Sequence, residues 1–496
     1  MSGFRFWVAV VAAAALCAPG LAQAKWLKAE SPRFIVYGES SERSLREYAE
    51  KLEIFDSVLR YKHGMDLSGA PPRKLEIYLV ADNEGLREVE PALGSGIAGF
   101  YSPGMGDIFA MAIRDREPDF VVLHEYAHHF MLQYFPYGYP AWLVEGYAEY
   151  FAQTVINGDK VEVGRPNNVR SYSLLNAHWL PFKDLLTKRT SDLKTGEMDS
   201  FYAQSWALTH YLMSDPARNK QLDAYMKAVG AGGDPAKTME AVTGQDLDAL
   251  QKAVRRYAGG RLAFASLTRK GFAPPQIKVE ALPSSADDLL LAYLRMRSGM
   301  SKDEGEVFVK TYVRPRAAKH PGDRLAELAL AYGEVWFADR AAGEAVLKRM
   351  IAADPKDADA LRILGVSRVI EAGEDGGDVR DEMQEGGKLL ARAHAARPGD
   401  YRTLYYYAIS RQIEPDYPSD NTLNALSAAF DLAPQVPEVR IMFARALMLE
   451  KEWEEARVVL MPLANSPHGG GAAEAARKTL EQVDGEIARV KGKAAP

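Results

Sequence analysis

The sequence predicts an α+β protein in two parts: a first domain, mainly helical with a small sheet, and an all-α array behind it. Three observations carry this expectation. Short apolar alternations of period two recur within residues 33–113, around one helical stretch. From about residue 118 to 260 the apolar positions fall at helical spacing instead. Beyond Ala286 the chain is almost wholly helical, and Pro321, Pro355, Pro398, Pro434 and Pro467 recur 34, 43, 36 and 33 residues apart. A chain of 496 residues is also longer than one core normally organises.

Residues 1–24 hold Arg5, an apolar run over 6–16, and Ala22-Gln23-Ala24 before Lys25. This is the pattern of a secretory signal cut near Lys25, too short for a comfortable membrane span; a retained anchor is the alternative. A periplasmic or secreted location is therefore expected, with no membrane span in the mature chain. Cys17, the one cysteine, lies in this segment without the upstream leucine of a lipidation site. Disulfides are thus excluded from the mature chain. The net charge of −6, with both signs interspersed, argues against a nucleic-acid partner.

Residues 33–38 alternate like a strand, and 41–60 read as a helix behind a Ser cap. Residues 75–80 form another strand, and 99–101 and 107–113 a hairpin about a Pro/Gly turn. Pro118 opens a helix containing "VVLHEYAHHF". Tyr139-Pro140 breaks it, and a second helix follows that Gly158 is expected to end. Further helices are predicted over 200–215 and 246–260. The expected division is a first domain over 25–260, a linker over 261–285 and helical repeats over 286–490.

Within the array, Ala331 and Gly343 lie 12 apart, as do Ala444 and Ala456, where paired helices need small residues to approach. Gly365 and Gly386 are 21 apart, and the excess of nine matches the longer proline spacing, so a loop insertion is expected over 374–382. The third unit departs from the pattern around 417–421. The period and small-residue spacing resemble tetratricopeptide repeats, which implies an all-α tetratricopeptide-type solenoid binding a protein partner or substrate; a generic helical bundle is the alternative.

The chemistry lies in His124 and His128. Four residues apart on a helix, they share one face and can aim both imidazoles at one ion. A catalytic zinc usually takes a third protein ligand and leaves the fourth position open. Glu145 follows 17 residues later on the next predicted helix, which can bring its carboxylate back to the pair. His129 points about 100° away from His128, and His178 has no partner spacing; both read as structural or solvated.

"HEYAH" at 124–128 and "WLVEG" at 142–146 together resemble the gluzincin metallopeptidases, specifically the bacterial peptidase-MA-like group, over about residues 33–260. The resemblance implies a mainly helical, thermolysin-like zinc peptidase domain with a small sheet. It implies that His124, His128 and Glu145 bind Zn2+ and that Glu125 is the general base acting on zinc-activated water. Glu149, one turn beyond Glu145, is expected to accept a hydrogen bond from the other nitrogen of His124 or His128; a surface carboxylate is the alternative. Tyr202 sits in a stretch similar to the helix that supplies the oxyanion donor in related aminopeptidases, with His210 as its rival. Peptide substrate is expected along an edge strand, at Gly99, Phe100 and Tyr101 or at 108–110. The upstream Gly-x-Met-Glu-Asn segment of the aminopeptidases is missing. Met131 follows His128 by three, and no third histidine stands at the metzincin spacing.

The expected function is a secreted or periplasmic zinc endopeptidase whose repeats recruit protein substrate or partner. Two alternatives stay open: a non-catalytic scaffold with a structural or vestigial zinc site, and a hydrolase of a non-peptide, cell-wall amide. Glu125 weighs against the scaffold, because a structural site needs ligands but no general base.

Overall fold

The computed structural model describes residues 26–114, 120–269, 274–373, 378–467 and 469–493. The expected signal and Pro118 lie outside these residues. The fold is mainly helical with a small mixed sheet, and no described helix is long and apolar enough to cross a membrane.

The strands are β1 (Leu27–Glu30), β2 (Phe34–Gly38), β3 (Leu75–Val80), β4 (Gly99–Pro103), β5 (Ile108–Ile113), β6 (Val155–Asn157), β7 (Lys160–Val163), β8 (Ala265–Thr268) and β9 (Lys278–Ala281). The main sheet runs β4-β5-β3-β2-β1-β9, and β6-β7-β8 form a second, smaller one. β2, β3 and β5 are parallel, while β4, β1 and β9 add antiparallel edges. Alternation along β3 and β5 sends Leu75, Ile77, Leu79, Ile108 and Ala110 to one face and Tyr78, Val80, Phe109 and Met111 to the other.

The first face packs on α1 (Glu42–Lys62), whose start is fixed by Ser41 accepting from the Ser44 amide at 3.1 Å. The opposite face is covered by α2 (Asn83–Val89) and, far along the chain, by a helix over Ser285–Ser298. Beneath the sheet lie α3 (Phe120–Tyr134) and α4 (Ala141–Ala152), followed by α5 (Asn168–Asn176), α6 (Phe182–Thr187), α7 (Met198–Met213), α8 (Pro216–Gly230), α9 (Pro235–Thr243), α10 (Leu247–Ala258) and α11, the helix over Ser285–Ser298. α4 and α7 touch backbone to backbone. A Cβ on Gly146 would stand 2.4 Å from the Ser205 carbonyl oxygen and 2.3 Å from Thr209 Oγ1, so only glycine fits there.

Two expectations about the first domain and its boundary need correction. The second helix of the motif ends at Ala152, not at Gly158. The β-branched residues Thr154, Val155 and Ile156 favour the extended chain, and Gly158 instead turns the β6–β7 hairpin with φ +54°. The stretch 261–285 is not a linker: it supplies β8 and β9, one to each sheet. β9 is an edge strand joined through its backbone to β1, so its side chains can stay polar and partly exposed. α11 bridges the two parts: Ala286, Leu290, Leu291 and Leu294 pack on the sheet, while Leu289, Tyr293 and Met296 pack into the helical array.

The array continues with α12 (Lys302–Phe308) and α13 (Arg314–Ala317), joined by a π-helical turn, and then α14 (Arg324–Phe337), α15 (Arg340–Ala353), α16 (Ala358–Glu371), α17 (Val379–Ala396), α18 (Tyr401–Ser410), α19 (Asp420–Leu432), α20 (Pro437–Leu449), α21 (Trp453–Ala464) and α22 (Gly471–Lys493). The recurrent prolines precede the starts of α14, α16, α18, α20 and α22 by three or four residues. Small residues do meet at the helix contacts: a Cβ on Gly365 would lie 3.1 Å from the Gly386 carbonyl oxygen, and one on Gly343 2.8 Å from that of Ala331. The second half of the expected insertion is helix, because Asp378 caps α17 and Val379 to Glu382 form its first turn. The irregular third unit corresponds to a short α18 and a long connection to α19.

The array is bolted to the sheet at the β4–β5 turn. Asp107, 3% exposed, pairs with Arg73, with Arg297 of α11 and, at 3.5 Å, with Arg402 of α18. Arg402 Nη1 donates to the Gly106 carbonyl at 2.8 Å, and the Tyr401 hydroxyl donates to that of Gly104. From Arg402 a chain of buried pairs runs through Asp400 and Arg362 to Asp359.

Candidate functional site

α3 and α4 form the helical hairpin expected from the motif. Pro140 begins α4 with its own φ of −68°, and the close passage at Gly146 sets the depth at which α4 runs. The result is convergence of His124, His128 and Glu145. His124 Nε2 and His128 Nε2 are 3.0 Å apart, and Glu145 Oε2 stands 3.6 and 3.5 Å from them. Tetrahedral zinc with bonds of about 2.0–2.1 Å separates its ligands by roughly 3.3–3.4 Å. The observed triangle has that size.

Burial alone would raise the Glu145 pKa, but the neighbouring imidazoles of His128 and His124 outweigh it and keep the carboxylate ionised. Burial opposes charge on His124, whereas Glu145 raises its pKa. A fully buried carboxylate facing two imidazole nitrogens is a donor set suited to a divalent cation. The residues therefore fit a zinc ion by number, type and spacing.

Glu149 is buried rather than a surface carboxylate. Its Oε1 lies 3.8 Å from His124 Nδ1, beyond a direct hydrogen bond. Two residues without a sequence signature hold it: Arg170 at 2.5 Å and Asn167 Nδ2 at 3.2 Å, both at the start of α5. His128 Nδ1 is buried with no hydrogen-bond partner among the described residues.

Tyr202 lies beside Arg170, the residue that holds Glu149, and does not line the cleft that Glu125 borders. The Arg170 guanidinium lies 5.0 Å from its ring centroid. Burial raises the phenol pKa, as do the charges of Glu145, Glu149 and Glu125, so the hydroxyl stays protonated and able to donate. If the site is that of a zinc hydrolase, replacing Tyr202 by Phe is expected to lower turnover by about 10²-fold with zinc content unchanged, read by steady-state kinetics beside elemental analysis. Unchanged turnover would return Tyr202 to a packing role. The rival, His210, is fully engaged: its Nε2 bonds the Gly164 carbonyl and its Nδ1 the Tyr257 hydroxyl, both at 2.8 Å. It is structural.

His129 turns away from the triad and bonds the Tyr101 hydroxyl at 2.9 Å; burial lowers its pKa to about 3, so it is neutral. His178 is exposed.

Glu125, His128 and Glu145 border a cleft of about 480 Å³, together with Gly99, Phe100 and Tyr101. Of the two backbone segments expected to take substrate, only the first is placed for it. β4 is the sheet edge, whereas 108–110 lie in β5, already paired on both sides. The opposite wall was not foreseen. It comes from the array and includes Gln435, Pro437, Arg440, Leu463 and Pro467. The array is tied down on the cleft's flanks: Asn465 donates to the Gly138 carbonyl at 2.8 Å, the Thr190 amide to Pro467 at 3.1 Å, and Gln133 to Asp431 at 2.9 Å.

No protein-family model matches the chain, and comparison with curated proteins and with solved structures returns no match.

Proposed function

We propose that the chain is a zinc-dependent endopeptidase that hydrolyses peptide bonds of a protein or peptide substrate. The observation that carries this reading is the His124, His128 and Glu145 triangle at tetrahedral spacing, opening on the same cleft as Glu125. When bound, zinc supplies Lewis-acid polarisation of the scissile carbonyl and acidifies water.

The remaining steps belong to the chain's own side chains. Glu125 takes the proton of the attacking water and hands it to the leaving amine. The Tyr202 hydroxyl donates to the oxygen that gains charge. The outer edge of β4 aligns an extended substrate by backbone pairing. Glu149, pinned by Arg170 and Asn167, limits how far the His124 ring can swing. We read the first domain as gluzincin-like and the array as tetratricopeptide-type. Support for the latter is the regular helix pairing with small residues at its contacts. The array serves as a wall of the cleft and as a surface for protein partners, in a periplasmic or secreted setting.

Replacing Glu145 by Ala removes one of three ligands and is expected to weaken zinc binding by at least roughly 100-fold, measured by competition with a chromogenic chelator. The unsubstituted chain is expected to cut an unfolded protein such as casein only when zinc is present. A Glu145→Ala chain that binds zinc as tightly as the original would refute the ligand assignment.

A further inference from the structure

We propose that the cleft takes an apolar peptide segment bearing a carboxylate, and that Arg440 of α20 receives that carboxylate. This rests on the peptidase reading and names a substrate class for it.

The cleft is apolar on both sides. Phe100, Leu132 and Val144 line it from the first domain, and Pro437 and Leu463 from the array. Among the described lining residues, Arg440 is the only arginine or lysine; the carboxylates there, Glu125 and Glu145, belong to the candidate metal site. Arg440 is 2% exposed. Its Nε donates to the Pro434 carbonyl and its Nη1 to that of Val459 at 2.7 Å, while Nη2 is buried without a hydrogen-bond partner.

The contrast with its neighbours is informative. Elsewhere the array pairs its buried arginines with aspartates: Arg362 with Asp400 and Asp359, and Arg402 with Asp400. Arg440 has no carboxylate partner among the described residues. Burial lowers its pKa to about 9 with nothing opposing, which leaves it cationic at neutral pH. A buried charge without a counter-ion is costly. Its partners among the described residues are two backbone carbonyls and the Phe430 ring, whose centroid lies 5.0 Å from the guanidinium carbon; none carries a negative charge, so the cation lacks a counter-ion. A carboxylate arriving in the cleft supplies one.

Gln435 adds a complementary group. It borders the same cleft, is 6% exposed, and its Oε1 is buried without a partner. An unpaired donor and an unpaired acceptor on one wall match a carboxylate and a nearby amide N–H of one peptide. The carboxylate can be the substrate's C-terminus or an Asp or Glu side chain.

The test uses the full chain as the zinc-loaded Glu125→Gln protein, which binds without cutting. Three fluorescein-labelled heptapeptides of Leu, Phe and Ala are compared by anisotropy: one with a free C-terminal carboxylate, one amidated, and one amidated with a single internal Glu. At least one carboxylate peptide is expected to bind about 10-fold or more tightly than the neutral one, and which of the two does so identifies the source. Adding Arg440→Met is expected to erase the difference, while Arg440→Lys keeps part of it. Equal binding of all three peptides would overturn this proposal and leave the peptidase reading standing. A preference that survives Arg440→Met would overturn the assignment to Arg440. If none of them binds, this proposal fails, and zinc-dependent cleavage of casein decides the peptidase reading separately. The comparison among peptides holds even if neither Arg440 variant folds.

Discussion

Glu125→Gln is expected to keep its zinc and lose turnover by about 10²–10⁴-fold, the range that a positioned acid–base group contributes. The substitution is nearly isosteric, and it leaves His124, His128 and Glu145 untouched at their spacing of 3.0–3.6 Å. What disappears is the ability to accept a proton beside the triad. Glu125 is partly exposed at the cleft, as a group exchanging protons with substrate must be. Turnover of a cleavable peptide and zinc per chain, measured on one preparation, check the prediction. A Glu125→Gln chain that stays active would refute the mechanism while leaving the metal site in place.

The largest effect on stability is expected at Asp107. Its carboxylate is the shared counter-ion of Arg73, Arg402 and Arg297, which come from three separate parts of the chain. Burial would raise its pKa, and the three guanidinium charges outweigh that and hold it well below the usual range. Asp107→Asn keeps the shape and leaves three buried cations without their common partner. Loss of about 3–5 kcal/mol is expected from chemical denaturation, as for other broken buried pairs. The pH dependence has a definite sign. Because the folded-state pKa is depressed, this contribution is complete above the unfolded value of about 3.9 and declines as pH falls from there through the folded value. A variant within about 1 kcal/mol of the original would mean that the β4–β5 turn is held by its backbone contacts alone.

Features written in short stretches of sequence were the legible ones. His124 and His128 share a face because four residues make about one helical turn, and Glu145 returns because Pro140 separates two helices of suitable length. Gly365 and Gly386 were readable as helix contacts because a missing side chain leaves a periodic mark. Features that depend on distant partners were not. β9 reads as linker because an edge strand joins by its backbone and shows no apolar alternation. The strand at Val155–Asn157 was hidden by its continuity with a helical pattern. Asp107 and Arg402 lie almost 300 residues apart, and Arg440 is an ordinary arginine in an amphipathic helix until its missing counter-ion is seen. The array's place as a wall of the cleft follows from such pairs and could not be read from repeat spacing.

The central claim is that His124, His128 and Glu145 hold zinc, and the direct measurement is metal per chain by elemental mass spectrometry after loosely bound ions are removed. About one zinc per folded chain, stripped by a strong chelator and restored on adding zinc, is the expected result. A folded chain that carries no zinc and takes none up would contradict the account, leaving "HEYAH" an ordinary helix and the function with the helical array.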